Sequence, residues 1–180
     1  MVEKYFVLDI ESTGISAWYG SRITAIGIRT SDGEEIVFMD KDEEELLLDF
    51  QHWFSGENGT FAFMVTKNGK GFDIPFIIAR GVMNGNMLDR SYPDFVSDFL
   101  NFPHIDLHEI TQKWISLDDF ARILHLPVKT GNGLQAIKLW EQGKLEELKD
   151  YLKHDLWLTE QVYKRRKHLE ALNKEEVKDD

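Results

Sequence analysis

Tyr5-Phe6-Val7-Leu8-Asp9-Ile10-Glu11-Ser12-Thr13-Gly14 is the stretch that decides how this chain reads. Tyr5 to Ile10 is almost continuously apolar and is followed by polar punctuation from Glu11 to Ser21, the pattern of a short strand covered on both faces. Side chains alternate along a strand, so Asp9 and Glu11 leave on the same face, where two carboxylates can chelate a cation. The Ser12-Thr13-Gly14 turn allows the backbone to approach a phosphate closely. Asp-x-Glu recurs at Asp32/Glu34 and Asp42/Glu44. There a hairpin turn and a helix cap account for it, whereas the first pair follows a buried strand.

Working outward, Arg22 to Thr30 and Glu35 to Met39 are rich in Ile, Val, Phe and Thr. Ser31-Asp32-Gly33 between them carries the Asp-Gly signal of a tight hairpin. From Asp42 to Phe54, an N-capping Asp42 with Glu45 precedes Leu46, Leu47, Phe50, Trp53 and Phe54, spaced for one helical face. Thr60 to Val65 reads as a fourth strand. Lys67 to Gly71 is a loop into a helix from Asp73 to Met83, with Pro75 in its first turn. Phe102 to Leu107 is a candidate fifth strand. Ser116 with Asp119 caps one later helix, Gly131-Asn132-Gly133 opens another, and Leu145 to about Leu169 forms a long amphipathic one. This order implies an α/β fold, a mixed five-stranded sheet flanked by helices. No repeat or linker divides the chain, so residues 1–172 are expected to form one domain, with an acidic tail at 173–180.

The 180 residues are 42% hydrophobic and 29% charged, the proportions of a packed globular domain. With no cysteine, a metal would have to be held by oxygen or nitrogen. Neither a signal segment nor an apolar run of about 18 residues is evident, so a cytoplasmic protein with no membrane partner is expected. Lys+Arg 21 against Asp+Glu 32 give a net charge of −11, which argues against a generally basic nucleic-acid-gripping surface. It suits contact with phosphates at one site assisted by bound cations.

Two further acids draw notice. Asp73 stands where a loop enters a helix and reads readily as an N-cap. Tyr151 and Asp155 are four apart in the long helix, which brings their Cβ atoms to about 5 to 6 Å on one face, able to address the same water or metal. Leu152, Leu156, Trp157 and Leu158 surround Asp155, and a carboxylate buried among them needs a cation.

Taken together, Asp9-Ile10-Glu11-Ser12-Thr13-Gly14, Asn68-Gly69-Lys70-Gly71-Phe72-Asp73 and Tyr151-Leu152-Lys153-His154-Asp155 resemble, in order, the three motifs of the DEDD 3'-5' exonucleases. Tyr four residues before the last Asp resembles the DEDDy branch, which includes the proofreading domains of family B DNA polymerases. The histidine branch has His five residues before that Asp, where this chain has Asp150; Ser12, where many members have Thr, is a minor departure. The resemblance implies an RNase H-like fold and a catalytic set of Asp9, Glu11, Asp73, Tyr151 and Asp155. Its four acids would hold two Mg²⁺ or Mn²⁺ ions, and Tyr151 would orient the attacking water. It further implies contacts to the terminal nucleotide from Ser12, Thr13, Gly14, Asn68 and Phe72. The implied substrate is the 3' end of a single strand, DNA ahead of RNA.

Other readings come from the residues alone. Lys129, Lys67 and Lys70 are candidate phosphate contacts. Trp18 and Tyr19 are candidate base-stacking rings. His104, Asp106 and His108 have the composition of a metal site but need not converge. Lys164 to Lys167 is expected to be a solvated C-terminal helix face.

Overall fold

The computed structural model describes residues 4–57, 59–110, 115–128 and 133–176. Within them lie five strands, β1 (Tyr5–Ser12), β2 (Ile23–Thr30), β3 (Glu35–Phe38), β4 (Phe63–Thr66) and β5 (His104–Asp106). Six α-helices accompany them: α1 (Glu43–Glu57), α2 (Asp73–Met83), α3 (Tyr92–Asn101), α4 (Leu117–Ile123), α5 (Gly133–Glu141) and α6 (Leu145–Glu176). The sheet order is β3-β2-β1-β4-β5. β1 runs antiparallel to β2 and parallel to β4, and β5 is parallel to β4. The mixed five-stranded sheet flanked by helices is therefore as expected.

Strand alternation divides the interior in two. Phe6, Leu8 and Ile10 of β1, with Ile26, Ile28 and Met64, face the aromatic-rich layer of α1, α2 and α3, where Phe50, Phe54, Phe95 and Phe99 pack. Tyr5 and Val7, with Ala25, Phe63 and Val65, face α6 through Leu152, Leu156, Val162 and Tyr163. The odd-numbered face of β1 thus looks toward α6. On it, Tyr5, Arg29 and Lys164 all engage the buried Glu160, through contacts of 3.2, 3.0 and 2.8 Å.

Several boundaries differ from the expectation, each for a physical reason. β1 continues to Ser12, because Glu11 still pairs with Ala25 before the register shifts. The acids therefore stand within the strand. α3 arises in a stretch without a strong sequence signal, with Pro near its start and Phe95 and Phe99 buried. α6 extends to Glu176, past the end near Leu169 expected for this helix, and Lys164 to Lys167 falls in its interior. Lys164 there pairs with Glu160 one turn back, so the run does not complement a helix end.

Candidate metal centre

The site is built from the α6-facing side of the sheet. Glu11 lies opposite Ala25 and Ser12 opposite Ile23, which leaves Thr24 as the extra residue of a β-bulge. Such bulges bend a strand and re-aim its side chains. Asp9 pairs with Gly27 of β2, and Gly27 admits α6: a Cβ there would lie 2.7 Å from Leu156 Cδ1 and 2.8 Å from Leu152 Cγ. Because the helix comes this close, Tyr151 and Asp155, each one residue before a docking leucine, are carried over the end of β1. One oxygen each from Asp9, Glu11 and Asp155 lies within 4.8 Å of the other two.

Three carboxylates so near repel one another. At that separation and an effective dielectric of 20, each like-charged pair costs about 3 kcal/mol. A hard divalent cation converts the repulsion to attraction. Oxygens around Mg²⁺ sit at about 2.1 Å from it and therefore at most about 4.2 Å from one another, so a small contraction suffices. The all-oxygen donor set fits Mg²⁺ or Mn²⁺.

Asp73 approaches from the opposite layer. It is the first residue of α2, with Phe72 at the N-cap position and no side-chain cap. Its Oδ1 accepts the Ile10 amide at 3.1 Å. Pairing of β1 with β4 ends at Val7 and Val65, and Asp73 meets the β1 backbone between the two other acids. Burial, with a further contribution from the charge of Asp106, raises its carboxyl to about 7. The three acids of the close group and Asp73 thus gather around one stretch of backbone, although Asp73 does not belong to that group of three.

Tyr151 completes the surroundings. Burial, followed by the negative charges of Asp155, Glu11, Asp118 and Asp9, drives its phenol well above the usual tyrosine range. The hydroxyl stays protonated, next to the acids. Asp118 in the first turn of α4 was not singled out from the sequence, and neither was Gly27. A lone glycine amid the apolar β2 run was the available signal for the latter.

The remaining expected contacts divide. Ser12 Oγ donates to Gly14 O at 2.6 Å, Thr13 Oγ1 accepts the Arg22 amide at 2.9 Å, and Gly14 backs onto Ser21. These side chains shape the loop. Asn68 adopts a left-handed φ of 67° and its carbonyl accepts the Gly71 and Phe72 amides. Phe72 packs against Phe76, with ring centroids 5.2 Å apart. Lys129 and the Gly131-Asn132 opening of α5 lie outside the described residues. Lys70 pairs with Glu109 at 2.9 Å, while Lys67 is half-buried near the Phe120 ring. Trp18 and Tyr19 are 60% and 87% exposed, on a loop anchored by buried Ala17, whose carbonyl accepts from Arg80 at 3.2 Å. His104, Asp106 and His108 turn to separate partners: Thr66, backbone amides and Lys67.

A family model described as a predicted 3'-5' exonuclease related to the exonuclease domain of PolB matches residues 21–179. The chain belongs to this family. For this PolB-related exonuclease family member, the match includes Asn68 to Asp73 and Tyr151 to Asp155 and begins after the Asp9 to Gly14 motif. Among solved structures, the chain is similar to the family B DNA polymerase from the hyperthermophilic archaeon Pyrobaculum calidifontis, with a TM-score of 0.69 and 19% identity. That likeness is one of fold; it covers 92% of this chain and 24% of the polymerase chain. No curated protein matches the sequence. Among the described residues, no helix is long and apolar enough to cross a membrane.

Proposed function

We propose that this protein is a DEDDy-type, metal-dependent 3'-5' exonuclease that releases nucleoside monophosphates from the 3' end of single-stranded DNA. The observation that carries the proposal is the convergence of Asp9, Glu11 and Asp155 oxygens within 4.8 Å, from a strand and a helix far apart in sequence. In this reading Asp9, Glu11 and Asp155 would hold one divalent ion, and Asp73, together with Asp9, would serve a second. When bound, the ions supply Lewis acidity, neutralising phosphodiester charge and making water nucleophilic at neutral pH.

The chain's own residues supply the remainder. Tyr151, kept protonated by its burial and by the carboxylates around it, positions the attacking water through its hydroxyl. The left-handed Asn68 turn is the family-like contact to the terminal nucleotide. Trp18 and Tyr19, exposed on the loop that leaves β1 after Ser12, present faces on which unpaired bases can stack. A pair of exposed rings suits a splayed strand better than a duplex. The cysteine-free composition suits a cytoplasmic enzyme.

The test uses 5'-labelled single strands of DNA and RNA, incubated with the protein and Mg²⁺ or Mn²⁺ alongside Asp9→Ala. The expected result is a ladder of shortened DNA products that the substitution abolishes. Strand binding without shortening would favour a non-catalytic nucleic-acid-binding module. Equal or faster shortening of RNA would make the protein an exoribonuclease on the same fold.

A further inference from the structure

β5 ends in a buried aspartate that the proposed chemistry leaves without a task. Asp106 is 3% exposed, yet it forms no cluster with the histidines on either side. His104 Nε2 is 2.7 Å from Thr66 Oγ1, and His108 Nδ1 is 3.4 Å from Lys67 Nζ. Asp106 instead turns both oxygens onto main chain. Oδ1 accepts the amides of Asn68 at 2.7 Å and His108 at 2.9 Å, and Oδ2 accepts the amide of Lys70 at 3.0 Å.

Two of those three donors belong to the Lys67 to Gly71 loop, which leads directly into Asp73. Alternate amides of a turn with a left-handed residue form a concave array of donors that suits an anion. Here the anion is a side chain from the neighbouring parallel strand. The loop is also held at its base, where Gly69 donates to Thr66 Oγ1 at 3.0 Å. Asn68 has a φ of 67°, a conformation that costs a non-glycine residue energy and persists only where its surroundings impose it. A buried carboxylate receiving three amides is such a constraint, since each charge-assisted hydrogen bond contributes more than a neutral one.

We infer that Asp106 is a positioning residue, which clamps the Asn68-to-Lys70 turn in the shape that meets the terminal nucleotide. The inference rests on the exonuclease reading and deepens it by assigning the residue that fixes its nucleotide-side loop. Asp106 touches no reacting atom; it acts through the backbone of Asn68 and Lys70. Asp106→Asn tests this with little change of shape. Its amide oxygen can still accept from Asn68 and His108, but its NH₂ group would face the Lys70 amide, donor against donor.

The experiment combines amide hydrogen exchange across residues 66 to 74 with steady-state kinetics on a 5'-labelled single DNA strand in Mn²⁺, for wild type, Asp106→Asn and Asp106→Ala. The expected results for Asp106→Asn are at least tenfold faster exchange at Lys70 and a roughly tenfold rise in KM, a rise larger than the fall in kcat corrected for active-site content. Asp106→Ala should extend the loss of protection to Asn68 and raise KM further. A residue serving stability alone would lower the melting temperature and the active fraction and leave KM unchanged. Unchanged KM, or Lys70 exchange equal to wild type, overturns the inference. If the wild-type protein shortens no strand, the exonuclease reading falls and this role falls with it. The exchange data still report separately whether the clamp exists.

Discussion

Replacing Gly27 by alanine places a methyl group where α6 meets the sheet. The new Cβ would stand 2.7 Å from Leu156 Cδ1, with Leu152 Cγ and Cδ2 at 2.8 and 2.9 Å. Carbon atoms rest comfortably at about 3.5 to 4.0 Å, so the gap is short by about 1 Å. Both leucines are fully buried, which leaves little space for either to rotate away. The helix must lift, or the sheet must bend. Overpacking of this kind costs about 1 to 3 kcal/mol, and the gain from replacing a strand glycine offsets about 0.5 to 1 of it. The net of about 0 to 2.5 kcal/mol should lower the melting temperature by up to about 10 °C for a domain of this size.

The larger effect is expected in activity. Tyr151 and Asp155 ride on the displaced turns, and a 1 Å misplacement of catalytic groups can cost about 100-fold in rate. Thermal melting and Mn²⁺-dependent shortening of a 5'-labelled strand read the two effects. Leu156→Ala should cost less in the Gly27→Ala background than in the wild type, so that the pair of substitutions loses less than the sum of the singles. A Gly27→Ala protein with wild-type rate and melting temperature would refute the claim that this close approach sets the site.

Tyr151→Phe should slow strand shortening by about 10- to 100-fold while Mn²⁺ uptake, followed by calorimetry, stays within twofold, because in the proposed mechanism the phenol would position water and hold no metal. Trp18→Ala with Tyr19→Ala should raise KM for single strands by about 10-fold or more with little change in kcat, from stacking worth about 1 to 3 kcal/mol per base. Glu43→Ala should destabilise the protein by about 3 kcal/mol in denaturant melts, since Arg80 loses a paired partner in a site where both side chains are nearly buried, at 11% and 5% exposure. Burial depresses His104 to about 4. Its folded form therefore prefers the neutral ring, and its contribution to stability is complete above about pH 6.5 and lost as pH falls toward 4. His104→Gln should flatten that part of the stability profile, measured by melting between pH 4 and 7.

Much of this arrangement was legible before any coordinates. The apolar run into Asp9, the Asp-Gly hairpin and the capped helix from Asp42 report local preferences, and β1, β2, β3 and α1 formed close to where those preferences put them. The spacings of Asp9 with Glu11 and of Tyr151 with Asp155 are properties of a strand and a helix, so which face they share could be worked out in advance. What could not be worked out was decided by contacts across the fold. Asp73 reads as an N-cap because local propensity favours Asp there, but its carboxylate is taken by the Ile10 amide from another layer. His104, Asp106 and His108 have the composition of a metal site, and the clamp made by Asp106 is not visible locally because two of its three amide partners lie 36 and 38 residues away along the chain. Gly27 matters because α6 folds back upon it; a lone glycine in an apolar strand signals a close approach but not which element makes it.

The most direct measurement of the central claim is the uptake of Mn²⁺ by the protein, followed by electron paramagnetic resonance, for wild type, Asp9→Asn and Asp155→Asn in the absence of nucleic acid. The account predicts saturable Mn²⁺ binding to the wild type that either substitution weakens by at least tenfold, while both variants melt no lower than the metal-free wild type because carboxylate repulsion has been relieved. Wild-type protein that takes up no Mn²⁺, or variants that bind it as tightly, would contradict the account.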